Sequence, residues 1–120
     1  MKLAVVGSTG PWSNFEEAEV REFIRITYEI LTPSIIVSGG APGVDTWAEE
    51  QAVKSGITTV IFKPENKRWE PDGYKFRNHQ IANECDWLVC LRTANSKTYG
   101  SGWTADEAQR LDKIVRRFTW

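Results

Sequence analysis

The chain has 120 residues, 41% of them hydrophobic, and a formal net charge of -1. That is enough apolar residues for one core, in a length typical of one domain, and it excludes a disordered polypeptide. The near-zero charge also argues against a surface that holds nucleic acid by bulk electrostatics, because that affinity comes chiefly from neutralising phosphates.

Met1-Lys2 leads directly into Leu3-Ala4-Val5-Val6, which reads as a strand and not as a signal peptide. A glycine turn, Gly7-Ser8-Thr9-Gly10, follows it. Val20, Phe23, Ile24, Thr27, Ile30 and Leu31 recur at helical spacing and predict a helix from about Asn14 to Leu31, ended by Pro33. Ser13 with Glu16, or Asn14 with Glu17, is placed to form its capping box. Ile35-Ile36-Val37 is a second apolar run that stops at Ser38-Gly39-Gly40. A second helix is expected from Val44 to about Ser55, with Trp47, Ala48 and Ala52 on one side and Gly56 as its stop. Thr59–Phe62 is the third apolar run. Lys63–Gly73, with Pro64 and Pro71, is a loop and a candidate lid. A third helix is expected over Tyr74–Glu84, with Ile81, Ala82 and Cys85 in phase, then a strand over Trp87–Leu91. The last helix is expected over Trp103–Arg117, with Ala108, Leu111, Ile114 and Val115 in phase. Its acids, Asp106 and Glu107, come first and its bases, Lys113, Arg116 and Arg117, come last, as the helix dipole favours.

Uniformly apolar strands alternating with helices imply a parallel sheet covered on both faces. The expected fold is therefore a three-layer α/β domain over residues 1–120, with a parallel sheet of four or five strands. Such sheets bind ligands beyond the carboxyl ends of their strands. Three loops should meet there: Gly7–Ser13, Ser38–Asp45 and Arg92–Thr104. No stretch approaches membrane-spanning length, and a cytoplasmic location is expected. Cys85 and Cys90 fit no zinc spacing and read as reduced core thiols; His79 is the single histidine, so no metal site is expected. Residues 61–120 carry 11 basic side chains against 4 in residues 1–60, so an anionic small molecule would find its cations mainly in the second half.

The run Val37-Ser38-Gly39-Gly40-Ala41-Pro42-Gly43-Val44-Asp45 is a strand, a glycine turn and a helix start. Glycine permits positive φ and close approach of a ligand, and the helix start offers N–H groups and a positive dipole end. Together these suit phosphate, although the same pattern also serves as a plain strand-to-helix turn. Thr98-Tyr99-Gly100-Ser101-Gly102-Trp103-Thr104 is a similar segment, in which Ser101 and Thr104 could bind phosphate or cap the helix. Gly7, Ser8 and Thr9 form a third such turn, but neither G-x-G-x-x-G nor a Walker A sequence occurs. Arg77, beside Asn78, could grip phosphate with its planar fork. Six tryptophans are present. Trp47 is expected in the core, while Trp12 and Trp103 adjoin ligand loops and are candidates to stack on a base.

The run Ser38-Gly39-Gly40-Ala41-x-Gly43-Val44-Asp45-x-x-Ala48-Glu49 resembles the glycine motif of the SLOG superfamily, which includes the LOG nucleotide phosphoribohydrolases and the DNA-processing protein DprA. Phe76-Arg77-Asn78 ahead of the Asp86–Leu91 strand, then Gly100-x-Gly102-x-Thr104, fit in the same order, most like the small single-domain YspA-like branch. The resemblance covers nearly the whole chain. It implies a Rossmann-like fold that binds nucleotides or their derivatives. In the LOG enzymes a P-G-G-x-G-T-x-x-E motif supplies phosphate contacts and a catalytic glutamate, with an arginine on the preceding helix. By that resemblance Arg77 matches the arginine and Thr104 the threonine. Asp106 and Glu107 straddle the glutamate's place, and no Pro-Gly-Gly precedes them. Relatives often add a strand after the last helix; here a fifth strand is expected to be very short or missing.

Two functions follow. The first is a sensing or sequestering module for AMP, NAD or an ADP-ribose-like ligand, with no further cofactor, acting as a homodimer or higher homo-oligomer. The second is an N-glycosidase, with Arg77 clamping phosphate and Glu107 or Asp106 near the sugar. Asp45 and Glu49, four residues apart on one helix face, are the competing carboxylates. Slow or no hydrolysis is expected, because the LOG glutamate is displaced. Single-stranded DNA binding, by analogy with DprA, fits the near-neutral charge poorly.

Overall fold

In the computed structural model, which describes residues 1–120, the chain alternates strand and helix throughout. The strands are β1 (Lys2–Gly7), β2 (Ile35–Ser38), β3 (Thr58–Ile61), β4 (Trp87–Arg92) and β5 (Ile114–Thr119). The helices are α1 (Asn14–Leu31), α2 (Val44–Lys54), α3 (Tyr74–Glu84) and α4 (Gly100–Arg110). All strand pairs are parallel and the order is β3-β2-β1-β4-β5. The chain thus winds outward from β1 in one direction, then crosses back to β4 and continues in the other.

Alternation along β1 divides the core. Leu3 and Val5 face α1 and α2, packing with Val20, Ile24, Tyr28, Trp47 and Ala48. Ala4 and Val6 face α3 and α4, packing with Ile81, Ala82, Cys85, Ala105 and Ala108. The second layer is built from small residues. That lets α3 and α4 lie close to the sheet and to each other. Each fully buried valine, leucine or isoleucine contributes about 1.5–3 kcal/mol relative to exposure. Both cysteines are buried and unpaired, and no helix is long and apolar enough to cross a membrane.

The end of the chain corrects the expectation. α4 stops at Arg110, seven residues before the expected Arg117, and a six-residue β5 follows it. Asp112 takes a left-handed φ of 62° and turns the chain. Leu111, Ile114 and Val115 satisfy helical spacing, which hides the strand. They are separated by that turn, and Val115 reaches the α3/α4 core from the sheet. On the other face Phe118 packs on Phe23 of α1, ring centroids 4.7 Å apart, and Trp120 packs on Phe23 and Trp12. The fifth strand is therefore full length.

Candidate functional site

The order β3-β2-β1-β4-β5 puts the reversal of winding between β1 and β4. Loops leaving the carboxyl ends of these two strands diverge, and a cleft is left between them. It has a volume of about 990 Å³ and is bordered by all three of the loops expected to meet there. The β3–α3 loop, Lys63 to Gly73, forms one further wall.

A chain of hydrogen bonds joins the cleft's walls. Arg77 on α3 donates through Nη1 to Gly39 O in the β2–α2 loop, and through Nε to Asn78 Oδ1 at 2.8 Å. Asn78 Nδ2 in turn donates to Gly100 O, where α4 begins, at 3.4 Å. Arg77 is only 7% exposed. Burial pulls its guanidinium below its ordinary pKa, and the neighbouring Asp45 acts against that shift. The guanidinium nevertheless remains charged at any physiological pH.

Asp45, in the first turn of α2, is 6% exposed. Its Oδ2 accepts from Ala41 N at 3.2 Å. Burial pushes its carboxyl up to about 7; the Ala41 N–H and the Arg77 charge oppose this, and Glu49 adds to it. Near pH 7 the Asp45 carboxyl is therefore only partly ionised, so it offsets the Arg77 charge only in part and that side of the cleft stays net positive.

The helix starts around the cleft differ from the α1 start. α1 carries a full capping box, with Ser13 Oγ accepting from Glu16 N and Glu16 Oε1 accepting from Ser13 N, each at 3.0 Å. α4 has Tyr99 at its N-cap, no side-chain cap and no acid in its first turn. Its leading N–H groups belong to Gly100, Ser101 and Gly102, and Gly100 and Ser101 border the cleft. An anion there would meet both the unpaired N–H groups and the positive end of the dipole.

Of the residues expected at the site, Gly7, Ser8, Thr9, Gly39, Gly40, Asp45, Arg77, Asn78, Gly100, Ser101 and Thr104 border the cleft. Several expected roles change. Ser8 Oγ accepts from Thr93 N at 3.2 Å, stitching the β1 loop to the end of β4. Ser38 is fully buried and its hydroxyl donates to Glu49 Oε2 at 2.6 Å, so this pair sits beneath the loop and outside the cleft. The Thr104 hydroxyl donates back to Gly100 O at 3.0 Å. Ser101 Oγ accepts from Arg92 Nη1 at 2.9 Å, and its own proton remains to be donated. Val44 is a core residue.

The glycines also separate by role. A Cβ on Gly7 would lie 2.3 Å from Leu91 O, and one on Gly39 would meet Arg77 Nη1 at 2.8 Å and Asp45 Oδ2 at 2.9 Å. These two glycines are needed for protein packing. Gly43, at φ 84°, lies 3.0 Å from Ser8 O by the same measure and does not border the cleft. Gly40, at φ 71°, is exposed beside Ile61 and Lys63. Gly102 makes room for the Tyr99 ring, which would stand 2.4 Å from a Cβ there.

The two carboxylates favoured for catalysis lie elsewhere. Asp106 faces outward and pairs with Arg117 at 2.8 Å. Glu107 sits between α3 and α4, held by Arg110 at 2.7 Å and His79 at 2.6 Å. Arg110, with His79, holds the Glu107 carboxyl down at about 2. Neither borders the cleft, because the first turn of α4 already fills that wall. The carboxylates that do border it are Asp45 and Glu65.

The tryptophans divide similarly. Trp47 is in the core as expected. Trp12 turns away from the cleft, donates from Nε1 to Ser8 O at 2.9 Å, and packs edge-on against Trp47 and Trp120. Trp103 borders the cleft, and so do Trp69, Tyr74 and Tyr99, which the sequence patterns did not single out. Their signal is position alone: Trp69 and Tyr74 belong to the proline-bounded loop and its exit, and Tyr99 precedes Gly100.

No protein-family model matches this chain, and no curated protein matches it. Among solved structures it is similar to DNA processing protein A (DprA) from Streptococcus pneumoniae, with a TM-score of 0.72, 23% identity, 97% of this chain and 49% of that chain covered. It is equally similar to the structural-genomics target TM1055, with a TM-score of 0.72, 20% identity, 95% of this chain and 71% of that one covered. This chain spans about half the length of that DprA chain. The protein therefore has the Rossmann-like fold of DprA, the fold that the SLOG resemblance implies.

Proposed function

We propose that the chain binds a nucleotide or nucleotide derivative, of the AMP, NAD or ADP-ribose type, and acts as a sensing or sequestering module. The observation that carries this reading is the uncapped start of α4, joined through Asn78 to the buried Arg77 across the same cleft. Backbone donors, a helix dipole and a fixed cation converge on one volume. At about 990 Å³ the cleft is at the upper end of small-ligand pockets, so it has space for more than a phosphate group. A fold shared with DprA supports a nucleic-acid or nucleotide context without specifying the ligand. The proposed place of action is the cytoplasm, where such ligands are plentiful.

N-glycosidic hydrolysis is the second reading, and the observation favouring it is Asp45. A carboxyl beside the cleft with a pKa of about 7 can exist in either protonation state at neutral pH, as a general acid must. Two features favour binding without turnover. Asp45 is held by the Ala41 N–H and packed against Gly39, and Asp106 and Glu107 are engaged outside the cleft. The test is calorimetry with AMP, NAD and ADP-ribose, alongside chromatography of each mixture for free base. Saturable binding with intact ligand is expected. Absence of binding at about 1 mM, which corresponds to only about 4 kcal/mol, contradicts the proposal. Multiple turnover that disappears in Asp45→Asn replaces it with the hydrolase.

A further inference from the structure

Trp69 stands at the crown of the β3–α3 loop, 41% exposed, and borders the cleft. The loop that carries it is built to hold it. Asn66 Nδ2 donates to Pro71 O at 3.0 Å, and Asn66 Oδ1 accepts from Arg68 N at 2.9 Å. Tyr74 N donates to Arg68 O at 2.8 Å and Lys75 N to Trp69 O at 3.1 Å, tying the loop to the start of α3. Gly73 lies so close beneath it that a Cβ would meet Arg68 O at 1.8 Å. These bonds are internal to the loop and the α3 start, so the loop keeps its own shape.

At the border of the cleft the Trp69 ring touches Trp103 of α4 edge to face, with centroids 5.3 Å apart and planes at 88°. Two indoles at a right angle form a corner, with one apolar wall from the β3–α3 loop and one from the first turn of α4. Trp103 lies within one helical turn of the Gly100 and Ser101 N–H groups. A planar aromatic group can stack on one wall while presenting its edge to the other, an arrangement aromatic quadrupoles favour. Lys63 and Lys67 border the same cleft from the loop side.

We infer that Trp69 and Trp103 form the base subsite of the cleft, so that the ligand is a phosphate ester bearing a nucleobase and not a bare sugar phosphate. This rests on the proposed anion site at α4 and adds the selectivity that site lacks. An N-terminus and an arginine bind any phosphate alike, whereas stacking needs a π-face. The loop thereby contributes to ligand choice as well as covering the cleft.

The test compares AMP with ribose 5-phosphate by calorimetry, in the wild type, Trp69→Leu and Trp103→Leu, with thermal melts as folding controls. In the wild type AMP should bind at least about tenfold more tightly than ribose 5-phosphate. Trp69→Leu should remove about tenfold of the AMP affinity and leave ribose 5-phosphate within about twofold. Tryptophan emission should be quenched by AMP in the wild type and less so in Trp69→Leu. Trp69→Leu is the decisive variant, because its side chain lies on an exposed loop; Trp103→Leu should repeat the pattern if its melt is unchanged. Equal wild-type affinity for the two probes, or an AMP affinity indifferent to Trp69→Leu, overturns the base subsite and leaves the anion site standing. Equal loss for both probes in Trp69→Leu also overturns it, making the indole pair a latch for the loop. Binding of neither probe by the wild type removes the anion site and the base subsite together.

Discussion

α1 and α4 each begin just beyond the carboxyl end of a central strand, and the two starts are finished in opposite ways. α1 closes its own end: Ser13 and Glu16 satisfy each other's backbone donors, and Glu16 and Glu17 oppose the dipole. α4 has neither a side-chain cap nor an acid in its first turn, and it opens on the cleft. The same four unpaired donors exist at any helix start. Where local side chains meet them, the end serves stability. At α4, where Tyr99 holds the N-cap and Gly100, Ser101 and Gly102 follow, those donors stay open, and the proposed function gives them to a ligand. α2 stands between these cases, since its uncapped start carries Asp45, whose carboxylate reaches back to the Ala41 N–H.

Substitutions that convert one kind of helix start into the other, or cut the chain linking them, test this contrast. The largest effect is expected from Arg77→Ala. It leaves Gly39 O and Asn78 Oδ1 without their buried donor and removes the counter-charge beside Asp45. A loss of about 2–3 kcal/mol in denaturant unfolding is expected from the acceptors left unpaired, with AMP affinity reduced about tenfold or more. An AMP affinity changed less than about twofold would return Arg77 to a purely structural role.

The next effect is on pH dependence. Asp45 ionises near 3.8 in the unfolded chain and near 7 when folded. Between those values the folded protein holds a proton that the unfolded chain has released, so stability falls as pH rises from about 4 to about 7 and levels off above. Asp45→Asn, which carries no such proton, should flatten that part of the profile in thermal melts. A slope unchanged by the substitution would place its origin elsewhere. Ligand binding should follow the same direction. ADP-ribose, whose pyrophosphate charge is constant from about pH 6 to about 8, should bind more weakly as Asp45 ionises around pH 7. The smallest effect belongs to the closed helix start: Ser13→Ala should cost about 1 kcal/mol of stability and leave AMP affinity unchanged, because that end lies outside the cleft.

The sequence patterns carried much of this architecture for a physical reason. Strands such as Leu3–Val6 and helices such as α1 bury whole faces, and burial leaves a periodic trace at Val20, Phe23, Ile24 and Leu31, although Ile30, expected in the same stripe, is exposed and the buried Tyr28 lies outside the expected set. A capping box was legible for a related reason, since it is local and has fixed spacing, although that spacing fits Asn14–Glu17 as well as the Ser13–Glu16 pair that forms it. β5 was not, because Leu111, Ile114 and Val115 fit a helix equally well and the break between them is one left-handed aspartate. At the cleft, glycine turns after apolar runs marked the three loops. Which hydroxyls face the cleft was beyond sequence, because Ser8, Ser38 and Thr104 bond to groups set by tertiary packing. Asp106 and Glu107 fall near a motif position, yet helical phase turns one outward and the other toward His79. Trp69 leaves no periodic trace, since it works from a loop.

The central claim is that the open start of α4 holds the ligand's anionic group, and Gly100→Asp tests it most directly. A Cβ at Gly100 has room, its nearest neighbour being Asn78 Nδ2 at 4.0 Å. The new carboxylate would give α4 the kind of N-terminal acid that α1 already has. The expected result is a protein as stable as the wild type or more stable by about 0.5–1 kcal/mol, with AMP affinity in calorimetry reduced about tenfold or more. A folded Gly100→Asp protein that binds AMP as the wild type does would contradict the claim and place the anion elsewhere in the cleft.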